Sequence, residues 1–360
     1  MDPSPRTRRL FPPRRRHGRP PCRGAFHAVR RGAFAAVLLA FGLATAQYAA
    51  AVQELAAYPG AVGRPLEEKI SLGTEAVLDW QHRINLQYGE DIRPRKGSPD
   101  HPLIPVVRKM VMGLPARVRE LAARHVVALY LLQEDFGTGT TEAVRDEKGA
   151  WRYGYIALNL TELQRTANEW GAWKEGSTFR PERGHEVRMV LEPSDSDDVE
   201  GAVRFIFLHE LGHVLGLALA AHGVWDAKEL PSGTRHSPFI LRSWKVEDGK
   251  RMVSRWRREY PLLSRLSFYQ FDEAKLSLPE AEATYRALAE TNFPSLYGAT
   301  NPFDDFAETF AIYVHTRLLG KPYRVEVYRA GERRLVYRSC LQAGTCGKKV
   351  ATLEALLGIR

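Results

Sequence analysis

Cysteine is nearly missing from this chain, with three in 360 residues. Cys22 lies in an arginine-rich N-terminal arm, which leaves only Cys340 and Cys346 for the body. Two cysteines without further Cys or His close by exclude a zinc knuckle. Their separation of six residues suits a disulfide closing a short loop in an oxidising compartment, against the alternative of two unpaired thiols. Charge of one sign is equally scarce once the arm is set aside. The formal net charge is +10, but residues 1–46 hold ten arginines against one acid, Asp2, so the body is left near +1. That removes the electrostatic reason to expect nucleic acid as a partner. Internal repeats are absent, as are low-complexity tracts beyond the arm. What remains, 44% apolar and 26% charged residues, describes a soluble globular chain able to bury a sizeable core.

The arm has the layout of an export signal. A basic stretch covers residues 1–31, the uncharged run Gly32–Ala46 follows, and Ala44-Thr45-Ala46 has the small residues of a cleavage site. The expected organisation is a basic n-region (1–31), a signal h-region or membrane anchor (32–53) and one body (54–360). Residues 33–52 have about the length a membrane span requires, so a tether is the alternative to cleavage after Ala46. A positive flank keeps the N-terminus inside, which puts the body in the periplasm or outside the cell in either case.

Along the body, apolar periodicity predicts a helix over Leu66–Leu86, a Pro-rich connector from Asp91 to Pro105 and a helix over 106–124. The apolar run Val126–Leu132 reads as a buried strand. A Gly/Thr-rich turn at Gly137–Thr141 leads to a second run, Tyr153–Leu160, and then a helix over Thr161–Glu175. His185–Leu191 alternates like a strand with one covered face, and the Ser194–Asp198 cluster caps a long helix. Gly223–Pro294 is mixed and reads as irregular connections with short helices. Asn301 and Pro302 open a helix that runs to Leu319. A hairpin, Tyr323–Val327 with Arg334–Arg338, and a helix over Val350–Leu357 close the chain. The fold class is α+β, a small mixed sheet packed on the central helix with a mostly helical C-terminal part.

Within the long helix stands His209-Glu210-Leu211-Gly212-His213. Histidines four apart share one helix face and can hold one zinc ion, with the intervening Glu beside the ion's water. From Phe205 to Ala221 every other residue is apolar or Gly, so three polar groups are buried at a cost unless they find partners, and a cation satisfies all three. A membrane span fails on the same three residues, and a core of satisfied histidines is the bland alternative. A catalytic zinc needs a third protein ligand. The pattern HExxHxxGxxH would place it at 219, but Leu219 cannot ligate, His222 comes too late, and the lone downstream methionine, Met252, makes no Met turn. His185, His222 and His236 read as surface or cleft-lining residues.

A later segment, Ser295-Leu296-Tyr297-Gly298-Ala299-Thr300-Asn301-Pro302-Phe303-Asp304-Asp305-Phe306-Ala307-Glu308-Thr309-Phe310, resembles the second signature of the lethal-factor-like zinc peptidases, which are gluzincins. The resemblance covers this segment and the HExxH helix, two motifs in the right order, and implies a zincin-like metallopeptidase domain. It assigns Tyr297 to assist catalysis, Asp304 as the third zinc ligand and Glu308 as support for a ligand histidine. The family has Glu where this chain has Asp304, one methylene shorter. Glu308 is therefore the alternative ligand, and Asp304 has the plainer role of complementing a helix N-terminus.

The expected activity is zinc-dependent hydrolysis of peptide bonds outside the cytoplasm, with Glu210 as general base and a peptide or protein as substrate. Strand His185–Leu191 is a candidate edge for an extended substrate, against an ordinary inner strand. Two other classes stand beside it: a non-catalytic zinc or peptide-binding module, and a membrane-tethered interaction protein with an accidental motif.

Overall fold

A computed structural model describes residues 52–223, 237–247, 251–269 and 274–359, which belong to one compact unit. The arm, residues 32–51 of the expected h-region and His236 lie outside the described residues.

The expected first helix is broken. Strand β1 (Ile70–Ser71) precedes Gly73, whose φ of +97° no helix accepts, and helix α1 (Glu75–Gln87) starts afresh behind Thr74, whose side chain accepts from the Val77 amide. Strand β2 (Arg95–Lys96) leads to α2 (Leu103–Met112) and α3 (Ala116–His125). These are two helices where one was expected, because Gly113-Leu114-Pro115 interrupts the run. Strand β3 (Val126–Gln133) is buried almost throughout. β4 (Gly139–Arg145) occupies part of what reads as a turn from sequence, and β5 (Trp151–Asn159) follows. Helix α4 (Ala167–Gly176) begins later than expected, at a capping box in which Thr166 and Glu169 satisfy each other's backbone amides.

Strand β6 (His185–Val190) leads to α5 (Val199–Ala218), capped by Asp198, which accepts from the Gly201 amide. The hairpin β7 (Trp244–Glu247) and β8 (Arg251–Ser254) and helix α6 (Ala281–Ala289) give order to the stretch expected to be irregular. Helix α7 (Pro302–Tyr313) starts at Asn301, whose side chain accepts from the Phe303 and Asp304 amides. A wider π-helical turn, Val314–Leu318, continues it to the expected end. The predicted hairpin is β9 (Arg324–Arg329) with β10 (Glu332–Arg338), and α8 (Gly347–Leu357) ends the fold.

The architecture is α+β. Among the described residues the main sheet has the order β1-β3-β5-β4, with β2 also on β3; β1, β3 and β5 run parallel and β4 antiparallel. Both faces of β3 are covered, which explains its unbroken apolar run. Leu129 and Leu131 enter the core around α5, while Val127 and Tyr130 pack with Val77 and Leu78 of α1. Helix α5 lies against β5 and β4 on one side and α7 on the other. It is long and apolar enough to cross a membrane, but 83% of its apolar window is buried inside the protein, as in the core helix of a soluble protein.

The crossing of α5 and α7 depends on small residues. A Cβ on Gly212 would lie 2.7 Å from the Ala307 Cα, so the two backbones touch where the two motifs meet. Cys340 and Cys346 form the expected disulfide, with a Cα separation of 5.2 Å.

Candidate metal centre

Because α5 and α7 cross so closely, side chains one turn either side of the contact meet. His209 Nε2 and His213 Nε2 are 3.0 Å apart, and Asp304 Oδ1 lies 3.5 Å from the first and 3.3 Å from the second. The three atoms form a triangle at the floor of a cleft of about 610 Å³. A tetrahedral zinc with bonds of about 2.0–2.1 Å separates its ligand atoms by roughly 3.3 Å. The donor set fits such an ion in size, in chemistry (two imidazoles and a carboxylate) and in leaving a position toward the cleft. The close helix crossing lets Asp304 reach the histidines with one methylene fewer than Glu.

Asp304 is placed for both roles open to it. Oδ1 faces the histidines, while Oδ2 accepts from Asn301 Nδ2 at 2.5 Å and Thr300 Oγ1 at 3.3 Å beside the helix N-terminus. Burial works against its charge, but His209 and His213 hold the carboxyl well below the usual carboxylate range. Glu308, one turn on, lies outside the triangle. Its Oε1 accepts from His209 Nδ1 at 3.0 Å and from Lys174 Nζ at 2.6 Å. That bond fixes the ring so that Nε2 points into the triangle. Burial would raise the Glu308 carboxyl, yet Lys174 and His209 bring it down to about 2. Burial would likewise lower His209, but Asp304 and Glu308 lift it to about 9.

Glu210 lies beside the triangle. Thr141 Oγ1 on β4 is 2.7 Å from its Oε2, and a Cβ on Gly139 would come within 3.1 Å of its Oε1. Glycine at 139 thus lets the strand pass close over this carboxylate without covering it. Tyr297 sits in a tight turn just before α7, its ring centroid 5.4 Å from that of His209. Phe268 and Tyr269 pack edge-on against it at 4.9 and 5.5 Å. Burial pushes its phenol well above the ordinary value.

Two expectations need correction. His222 is neither exposed nor cleft-lining: it is buried against Gly216, where a Cβ would lie 2.1 Å from its Nε2, and it meets Phe303 and Phe306 edge-on. Burial pushes it down to about 3, and its Nδ1 is 2.7 Å from the Gly223 carbonyl oxygen. The candidate substrate edge is also misplaced. β6 belongs to a separate sheet, β10-β9-β6, packs against α4 and does not line the cleft, whereas Gly139–Glu142 of β4 do. Asp305 points away from the triangle, toward Lys349.

Sequence reasoning missed Gly139, Thr141 and Lys174. A signal existed for the last: Ala167, Trp170, Gly171 and Lys174 are spaced as the inward stripe of a helix, and a lysine on such a stripe needs a buried partner. Comparison with protein-family models, with curated proteins and with solved structures finds no match.

Proposed function

We propose that this protein is an exported zinc peptidase with a zincin-like domain of the lethal-factor type, acting on extended peptides. The observation that carries the reading is the His209–His213–Asp304 triangle on the floor of a cleft, with Glu210 held beside it. The order of the two motifs and the wall of the cleft support it. β4 ends its sheet, and among the described residues its free side meets only a bridge from Glu54 at Arg145. The backbone of Gly139–Thr141 on that side lines the cleft, where it can offer main-chain hydrogen bonds to a peptide. The Cys340–Cys346 disulfide is in keeping with an oxidising compartment and hence with export.

His209, His213 and Asp304 would hold the zinc, with Glu308 fixing the tautomer of His209. Bound there, the ion supplies Lewis acidity, lowering the pKa of a water and polarising a carbonyl. Glu210, with Oε2 anchored by Thr141, takes a proton from the attacking water and returns it to the leaving amine. Tyr297 donates a hydrogen bond to the carbonyl oxygen of the scissile peptide as negative charge develops there. The aromatic walls at Phe268 and Tyr269 exclude water from the reacting bond.

Metal analysis with a peptide-library assay tests this reading. The purified protein is expected to hold about one zinc per chain. His209→Ala loses the zinc, Asp304→Ala lowers its affinity severely, and Glu210→Gln keeps it while hydrolysis drops on the order of 10²–10⁴-fold. Metal retained in Asp304→Ala but lost in Glu308→Ala would reverse the ligand assignment. A zinc-loaded wild type that cleaves nothing would leave a binding module in place of an enzyme.

A further inference from the structure

Lys174 is the polar group at the centre of the site that no step so far uses. It is 3% exposed, and its Nζ is 2.6 Å from Glu308 Oε1, the oxygen that also accepts from His209. The ammonium also lies 4.6 Å from the ring centroid of Tyr297, with Trp170 and Phe205 at 5.5 and 5.7 Å completing an aromatic cage. An ammonium is costly to bury, and its position on the inward stripe of α4 could be filled by Leu or Met. A neutral glutamine at 308 could still accept from His209. Neutralising a buried carboxylate therefore does not by itself account for the arrangement.

Resting on the hydrolytic reading, we propose that Lys174 is a positioning residue that, held in place by Glu308, sets the placement of the Tyr297 phenol. Toward α7 the ammonium is anchored on Glu308 Oε1, while the His209 ring keeps its acceptor there with or without the lysine. Toward the cleft it attracts the face of Tyr297, while Phe268 and Tyr269 hold the ring from other sides. Tyr297 sits in a three-residue turn, which restrains a ring less than a long helix does. A hydrogen bond to a developing oxyanion tolerates little misplacement, so the cation beneath the ring acts on turnover rather than on metal or substrate binding.

Lys174→Met alone leaves Glu308 buried without its cation and is expected to lose stability and metal together, so the decisive variant is Lys174→Met/Glu308→Gln. It should regain the wild-type melting temperature and take up one Co2+ with an unchanged visible spectrum. Its kcat should nevertheless fall about 10–100-fold, with KM within about threefold. Added to Tyr297→Phe, the same pair should cost less than about threefold more. Acetohydroxamate affinity for the zinc-loaded protein gives a readout free of turnover. It should drop about tenfold in the neutral pair, and no further with Tyr297→Phe added. Wild-type kcat and hydroxamate affinity in the neutral pair would overturn the proposal, and so would an undiminished loss in the Tyr297→Phe background. If the zinc-loaded wild type cleaves no peptide, the hydrolytic reading fails and the hydroxamate series still decides whether Lys174 places Tyr297. A protein that takes up no zinc overturns both.

Discussion

Helix α7 carries two buried carboxylates, one turn apart, that each end on a lysine of a different helix, one facing the cleft and one turned from it. Toward the cleft, Glu308 meets Lys174 of α4, whose ammonium lies among Tyr297, Trp170 and Phe205. Away from it, Asp305 meets Lys349 of α8 at 2.6 Å, and that ammonium lies 5.2 and 5.3 Å from the rings of Phe239 and Phe293. The parts match, yet the electrostatic balance differs. Burial would raise both carboxyls, but Glu308 ends at about 2, whereas Asp305 stays above its ordinary value despite Lys349 and the Trp244 indole at 2.9 Å. What separates them is the second partner: Glu308 also accepts from His209, and no histidine faces Asp305 among its hydrogen-bond partners in the described residues. A buried pair on its own is barely worth its desolvation, whereas a carboxylate that accepts from a further ring nitrogen is favoured in its ionised form.

The pair turned from the cleft is thus the one that chemistry can spare. Lys349→Met alone strands Asp305 and should cost about 3–5 kcal/mol, read as a shift in the urea midpoint. Lys349→Met/Asp305→Asn should recover most of that loss, because the asparagine oxygen still accepts from Trp244, and metal content should match wild type. Loss of metal in this folded double variant would erase the distinction between the two pairs on α7.

How much of this could be read in advance divides along the same helix. The start of α7 was legible because Asn301 and Pro302 act on their own neighbours, and α5 because three polar residues interrupt a long apolar run. The pairing of those two motifs was legible only through resemblance. Contacts between distant segments were not. Lys174 and Glu308 are 134 residues apart, and nothing local says which lysine a carboxylate will find. Gly137–Thr141 carries turn residues, so β4 was hidden until its pairing with β5 imposed the strand. His222 was misread because the space for its ring is made by Gly216, an absence of side chain that sequence shows only as a glycine.

The disulfide sharpens the comparison from outside. Cys346 precedes α8, which brings Lys349 to Asp305, so the cross-link bears on the pair turned from the cleft alone. Closing so short a loop stabilises by about 2 kcal/mol in the chain-entropy view. Cys340→Ala/Cys346→Ala should lower the urea midpoint accordingly, with kcat and zinc affinity of the folded protein unchanged. An equal loss of zinc affinity would mean that the C-terminal staple reaches the triangle, contrary to the division drawn here.

The smallest effect tests the cleft side through pH. Glu175, next to Lys174, is fully buried, and the Tyr285 hydroxyl donates to its Oε2. Burial raises its carboxyl from 4.5 to about 7, with Lys174 and Tyr285 opposing and the Glu308 charge adding to the rise. In that window the folded protein holds a proton that the unfolded chain releases, so stability falls as pH rises from about 4.5 to about 7 and is level above it. Glu175→Gln keeps an acceptor for Tyr285 and carries no charge. It should match wild type near pH 4 and exceed it near pH 8, as read from urea midpoints across that range. A wild type whose stability rises through the window while the glutamine variant's stays flat would mean that Glu175 gains more from Lys174 than burial takes away. The lysine would then serve two carboxylates, and the contrast with the single-partner Lys349 would rest on charge count rather than on the link to His209.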